Sequence, residues 1–163
     1  MDKSIKILHL SDVHIGNPKN KHDEETVFDP LFEDLKKANE TPDVIIFSGD
    51  LAYGELEDST IKDQYKKSLI FLENIYKCFN KTFKEIPILI IPGNHDVNRS
   101  RLDEPQKQYR ESYNEQLIED MMHKDQDLTW DNIIQRQKEW NEFIKEIRNR
   151  SSNFFKSMPS VIS

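Results

Sequence analysis

One cysteine in 163 residues, Cys78, excludes an intrachain disulfide and makes a reducing cytoplasm the expected compartment. Its own expected place is that of a small buried hydrophobe on a helix. No apolar run approaches the roughly 20 residues a membrane span needs, so no membrane partner is expected. The opening stretch "MDKSIKILHLSD" has no long apolar core with a small-residue cleavage site, and a signal peptide is not expected. Positive charge is scarce as well. Lys and Arg number 23 against 30 Asp and Glu, a net charge of −7. That disfavours binding nucleic acid through a basic face, which works by neutralising phosphates. A bound metal cluster would bring its own positive charge to such a site. Internal repeats and low-complexity tracts are absent too, which leaves one ordinary domain with enough chain to bury a core.

What is present begins with three short apolar runs, "IKILHL" (5–10), "DVIIF" (43–47) and "IPILII" (86–91). Each is too short for a helix, rich in Ile and Val, and nearly continuous, the pattern of strands buried on both faces of a parallel sheet. Between them lie two helical patterns. The first, about 30–39, has Leu31, Phe32, Leu35 and Ala38 on one face, Asp29 as N-cap and Pro30 at the first helical position. The second, about 60–83, carries Ile61, Tyr65, Leu69, Leu72, Tyr76, Phe79 and Phe83 at helical spacing. The order predicts a βαβαβ unit of an α/β fold.

From Glu104 to Arg150 the chain is charged and reads as helical. Tyr109, Tyr113 and Leu117 mark one helix, and Trp130, Ile133, Ile134, Trp140, Ile144 and Ile147 another. Packing against the domain is the favoured reading of these stripes, with a lid over a cleft as the alternative. The last stretch, "NFFKSMPSVIS", reads as the approach to another strand.

Each apolar run ends in residues that bind metals. "HLSDVHIG" supplies Asp12 and His14, two apart and so on one side of an extended backbone. "IIFSGDLAYG" supplies Asp50, with Gly49 permitting a sharp turn, and "IIPGNHD" supplies Asn94 and His95. Sites in open parallel sheets form beyond the carboxyl ends of the strands, so the three clusters should converge. Carboxylate, imidazole and amide oxygen together suit Mn²⁺, Fe or Zn²⁺ better than Ca²⁺. With no cysteine cluster, a structural zinc site is disfavoured.

D-x-H, then G-D, then G-N-H-D, each closing a hydrophobic strand, resembles the calcineurin-like metallophosphoesterase superfamily over about residues 5–98. The resemblance implies the βαβαβ half of an α/β/β/α sandwich, followed here by a helical segment. It implies two metal ions, with Asp12 and His14 on the first, Asp50 bridging both, and Asn94 on the second. His95 would stand beside the reacting phosphate as acid or hydrogen-bond donor rather than as a ligand. Asp96 would complete the catalytic pair by orienting the imidazole. Two cations roughly 3.5–4 Å apart can share a hydroxide and clamp an in-line displacement at phosphorus. Arg99 and Arg101, just past this motif, are candidates to reach a substrate phosphate, with solvated surface residues the equal alternative. His9 reads as a satisfied core histidine and His22 as a surface residue, while His123 carries no signal.

The family pattern also needs a further histidine and a G-H-x-H block, and no histidine follows His123. Residues 1–163 are therefore expected to be a single truncated domain. It divides into a motif-bearing part at 1–103, a helical insertion or lid at 104–150, and the approach to a missing strand at 151–163. Alone it is expected to bind metal weakly and turn over slowly or not at all. "GDLAYG" and "GNHD" depart from the V-D-R-G and G-N-H-E of protein Ser/Thr phosphatases, which disfavours that branch. The expected substrate is a phosphodiester, with nucleotide and nucleic acid both open and the acidic balance favouring small substrates. The alternatives are a nuclease of the same superfamily and a non-catalytic binding or regulatory module.

Overall fold

The computed structural model describes residues 4–19, 24–98 and 135–151. Three parallel strands, β1 (Ile7–Leu10), β2 (Val44–Phe47) and β3 (Ile88–Ile90), lie side by side in chain order. Ile7 pairs with Val44, and Ile45 with Ile88. Helices α1 (Asp29–Ala38) and α2 (Ile61–Cys78) connect them. A third helix, α3 (Lys138–Arg150), packs on α2. The expected α/β character and βαβαβ order are both present.

The strands are shorter than the apolar runs, for local reasons. Before β1 and β2 the Asp43 carboxylate takes the Lys6 N–H at 2.8 Å, a side chain standing in for the ladder. Pro87 has no N–H to give, so β3 begins one residue later. The first helix also differs at its start. A five-residue π-helical turn, Glu24–Phe28, runs straight into α1, so Phe28 holds the cap position in helical conformation. Asp29 is therefore the first helical residue rather than the N-cap. Pro30 still falls in the first turn, where its fixed φ suits a helix start. The second helix stops at Cys78, short of 83. Asn80 turns left-handed at φ 54°, and Phe83 folds back onto Tyr76 with ring centroids 4.4 Å apart. Cys78 itself is buried on the helix, as expected.

The core forms between one face of the sheet and the helices. Ile45, Phe47 and Ile88 point into it and meet Ile61, Leu72, Ile75 and Tyr76 of α2. Full burial of each such side chain contributes about 1.5–3 kcal/mol. Phe32 of α1 reaches Phe71 of α2 at 5.7 Å, which places both crossover helices on the same side. On α3, Trp140, Phe143 and Ile147 are buried, and Phe143 stacks on Tyr65 at 4.7 Å. Ion pairs Lys62–Glu142 and Glu73–Arg150 tie α3 along α2. Trp140, Ile144 and Ile147 of the second stripe therefore pack against the domain.

The expectation of strands buried on both faces is corrected. Ile5, Ile7, Leu89 and Ile91 are 71, 56, 41 and 58% exposed, because no described helix covers the second face. His9 lies on that open face, bonded to Ser48 Oγ at 2.8 Å, so it is satisfied but not a core histidine. Among the described residues no helix is long and apolar enough to cross a membrane. His22, Arg99, Arg101 and His123 lie outside the described residues. So do the stripe at Tyr109–Leu117, the positions Trp130, Ile133 and Ile134, and the approach to a further strand.

Candidate metal centre

The site is built by backbone that stays laddered after the strands end. Asp12 N donates to Gly49 O at 3.0 Å and His14 N to Asp50 O at 3.0 Å. Ile15 then pairs with Ala52 in an isolated parallel bridge. The loops after β1 and β2 are thus held side by side by main-chain bonds, while Ile15, Leu51 and Ala52 turn into the core. The third loop joins by close approach. A Cβ on Gly93 would lie 2.1 Å from Asp50 Oδ1, so glycine alone lets this turn sit against the Asp50 carboxylate. Asp50 Oδ1 then accepts the His95 N–H at 2.9 Å.

His14, Asp50 and His95 each offer a ligand atom, and the three atoms lie within 4.8 Å of one another. The His14 and His95 rings meet edge to face at 4.7 Å. Asp12 stands outside that trio, but its Oδ1 is 4.0 Å from His14 Nε2. That distance is too long for a hydrogen bond and leaves both atoms facing a shared space. Asp12 and His14 do not come together through strand alternation. Both adopt left-handed backbone, φ 56° and 51°, as does Asp50 at 55°. Asn94 is exposed on the turn between Gly93 and His95. A cavity of about 850 Å³ opens nearby, beside Asn17, Phe28 and Phe71, but Asp50, Asn94 and His95 do not line it. The ligand cluster sits at the carboxyl edge of the sheet.

Asp96 does something other than orient the imidazole. It is fully buried, and its carboxylate accepts N–H groups from Leu51 (3.2 Å), Ala52 (2.9 Å) and Gly93 (2.9 Å). It clamps the loop bearing Asp50 to the turn bearing Asn94 and His95. Burial pushes its carboxyl pKa up, against the pull of those three donors. Its own carbonyl accepts the Tyr65 hydroxyl at 2.6 Å. Burial, reinforced by the Asp96 charge, raises the Tyr65 pKa, so the phenol stays a donor. The imidazole is oriented by Tyr53, whose carbonyl lies 2.6 Å from His95 Nδ1. Asn98, two residues on, is buried, and its N–H donates to the Arg136 carbonyl at 3.0 Å, which ties the turn to the segment just before α3.

The donor set fits a transition-metal cation. Imidazole and carboxylate converge, and His14 Nδ1 is buried with no hydrogen-bond partner among the described residues. Distance alone admits His95 as a third ligand. The sequence motifs did not single out Tyr53, Gln64, Tyr65 or Asn98. Gln64 had a legible signal, since it is a polar residue on the apolar stripe of α2 between Ile61 and Ser68.

A chain related to this one by sequence is the uncharacterised protein R555 of Acanthamoeba polyphaga mimivirus. It is 36% identical over 102 residues, which cover 60% of this chain and 7% of that protein. The chain thus spans a small fraction of the curated relative it matches. The family model described as calcineurin-like phosphoesterase matches residues 5–162. With motif order, parallel sheet and a convergent ligand cluster all in agreement, the chain belongs to the calcineurin-like phosphoesterase family.

Proposed function

We propose that this chain carries the first-metal half of a phosphoesterase centre that hydrolyses phosphodiesters. The observation that carries the reading is the meeting of His14, Asp50 and His95 from three separate strand ends. Asp12 and His14 would hold one cation, Asp50 would bridge to a second, and Asn94 would give the second a neutral ligand that adds no charge. Bound there, Mn, Fe or Zn ions supply Lewis acidity and a nucleophile near neutral pH. The protein's part is placement. Asp96 and the backbone ladder fix the spacing of the ligand loops. With Nδ1–H committed to the Tyr53 carbonyl, His95 as the imidazolium would present Nε2–H to the leaving oxygen.

The diester preference rests on "GDLAYG" and "GNHD", which depart from the protein-phosphatase pattern. The acidic balance favours nucleotide-sized substrates over polymers, and the lone cysteine favours a reducing cytoplasm.

Calorimetric titration with Mn²⁺ separates ligand from acid. Asp50→Asn should weaken binding at least tenfold, since the carboxylate charge is lost at the ion. His95→Ala should keep Mn²⁺ affinity within about threefold while slowing hydrolysis of bis(4-nitrophenyl) phosphate by about 100-fold. Equal loss of metal in both variants would make His95 a ligand and overturn the division of roles.

A further inference from the structure

Gln64, in the first turn of α2, is completely buried, and its side-chain amide is saturated with partners. Its Oε1 accepts N–H groups from Tyr53 (2.9 Å) and Gly54 (3.0 Å). Its Nε2 donates to the carbonyls of Gly54 (2.7 Å) and Ser59 (2.9 Å), with Ser59 Oγ at 3.3 Å. Burying an amide this deeply is unfavourable unless every polar atom is paired. An apolar side chain would pack there more simply, as Ile61 and Leu72 do on the same stripe. The amide acts as a template for the Tyr53–Ser59 loop. It also underlies the loop after β1, since a Cβ on Gly16 would fall 2.6 Å from Gln64 Cγ.

The loop it shapes ends at the imidazole. The Tyr53 carbonyl, 2.6 Å from His95 Nδ1, has lone pairs and no proton to give. The contact is attractive only if Nδ1 carries the hydrogen. A neutral His95 is then the Nδ1–H tautomer, with an open lone pair on Nε2. Free histidine prefers the opposite tautomer, so the preference here is imposed by the carbonyl's position. That position is set by Gln64 through the adjoining N–H groups.

We infer that Gln64 is a positioning residue which, through the Tyr53 carbonyl, locks His95 in its Nδ1–H tautomer and turns Nε2 toward the metal edge. The catalytic meaning of that lock rests on the phosphoesterase reading above; the tautomer does not.

Long-range ¹H–¹⁵N spectra of the full chain, recorded without metal at a pH where imidazole is neutral, read the tautomer directly. Wild type should show His95 as Nδ1–H. Gln64→Met, which keeps the length and removes all five hydrogen bonds, should shift the population toward Nε2–H. Gln64→Glu is the subtler variant. It keeps an acceptor for the Tyr53 and Gly54 N–H groups but sets an oxygen against the Gly54 and Ser59 carbonyls, and it should shift the population the same way. The His9 ring, bonded to Ser48 at a distance, should be unchanged and reports an intact fold. A wild-type His95 in the Nε2–H form overturns the inference whether or not the variants fold. So does a Gln64→Met spectrum with unchanged His95 and His9. In the hydrolysis assay Gln64→Glu should lower kcat by about 10- to 100-fold with KM and Mn²⁺ affinity retained. An equal effect on Mn²⁺ affinity would reduce Gln64 to a merely structural role. If wild type shows the tautomer but takes up no Mn²⁺ in calorimetry, the phosphoesterase reading fails and the positioning stands.

Discussion

Asp12, His14 and Asp50 share a backbone conformation that side-chain-bearing residues avoid, and all three lie at the candidate metal centre. Left-handed backbone is unfavourable by roughly 1–2 kcal/mol per residue. Among the described residues the other two left-handed non-glycine positions, Asn39 and Asn80, follow helix ends, where asparagine commonly adopts it. Strain concentrated at three converging polar residues is the mark of a functional site. Asp12 offers the cleanest test, since its side chain is 67% exposed and has little packing to lose. Asp12→Gly should raise the unfolding free energy by up to about 1 kcal/mol, while Asp12→Ala should not. Both should weaken Mn²⁺ binding. Thermal melts and calorimetry would check this, and equal stability of the two variants would count against the strain. At this scale the ligand types were legible because D-x-H and G-N-H-D are spelled in side chains. The left-handed turns were not, because neither Asp nor His announces them. The imidazole's partner was missed for a related reason. Asp96 was the expected one, but the work falls to the Tyr53 carbonyl, and a backbone group leaves no trace in sequence.

Helix α2 supports all three loops, and its first turn is held by a reciprocal cap. Thr60 Oγ1 accepts the Asp63 N–H at 3.2 Å and donates to the Asp63 carboxylate at 2.8 Å. The Lys66 ammonium, hydrogen-bonded at 2.7 Å, holds the Asp63 carboxyl below its ordinary range, with help from the Thr60 hydroxyl. A carboxyl lowered by folding stabilises the fold above its unfolded pKa. That contribution is lost as pH falls through the folded value. Asp63→Asn should therefore shrink the fall in Tm between about pH 5 and about pH 2. An unchanged fall would show that the cap does not titrate as described. The elements themselves were largely readable, since short Ile- and Val-rich runs alternate with helical stripes. The end of α2 was not. Phe79 and Phe83 keep the helical period past Cys78, yet they reach the core by a turn at Asn80. The start of α1 was misread because nothing in "EETVF" distinguishes a π-helical turn from loop.

For the molecule as a whole, chain order explains an asymmetry. Strands added in the order β1, β2, β3 through right-handed crossovers put every connecting helix on one side of the sheet. The opposite face keeps Ile5, Ile7, Leu89 and Ile91 exposed. Contiguous apolar surface of this kind binds hydrophobic dyes. Ile7→Lys combined with Ile91→Lys should reduce dye fluorescence while moving stability by no more than about 0.5 kcal/mol per site. Wild-type protein that fails to take up dye would contradict the exposure. Continuous apolar runs suggested burial on both sides because composition reports what a strand tolerates, not which neighbours arrive. The ladder that continues past the strand ends also limits what the chain can accommodate. Asp12, His14 and Ile15 bond to Gly49, Asp50 and Leu51, so the first loop spends one more residue than the second between its bonds, and Val13 is that extra residue. A further residue inserted between Leu10 and Ile15 would add to that existing bulge and pull at the bonds that hold Asp12 and His14, so added length is better tolerated elsewhere in the chain.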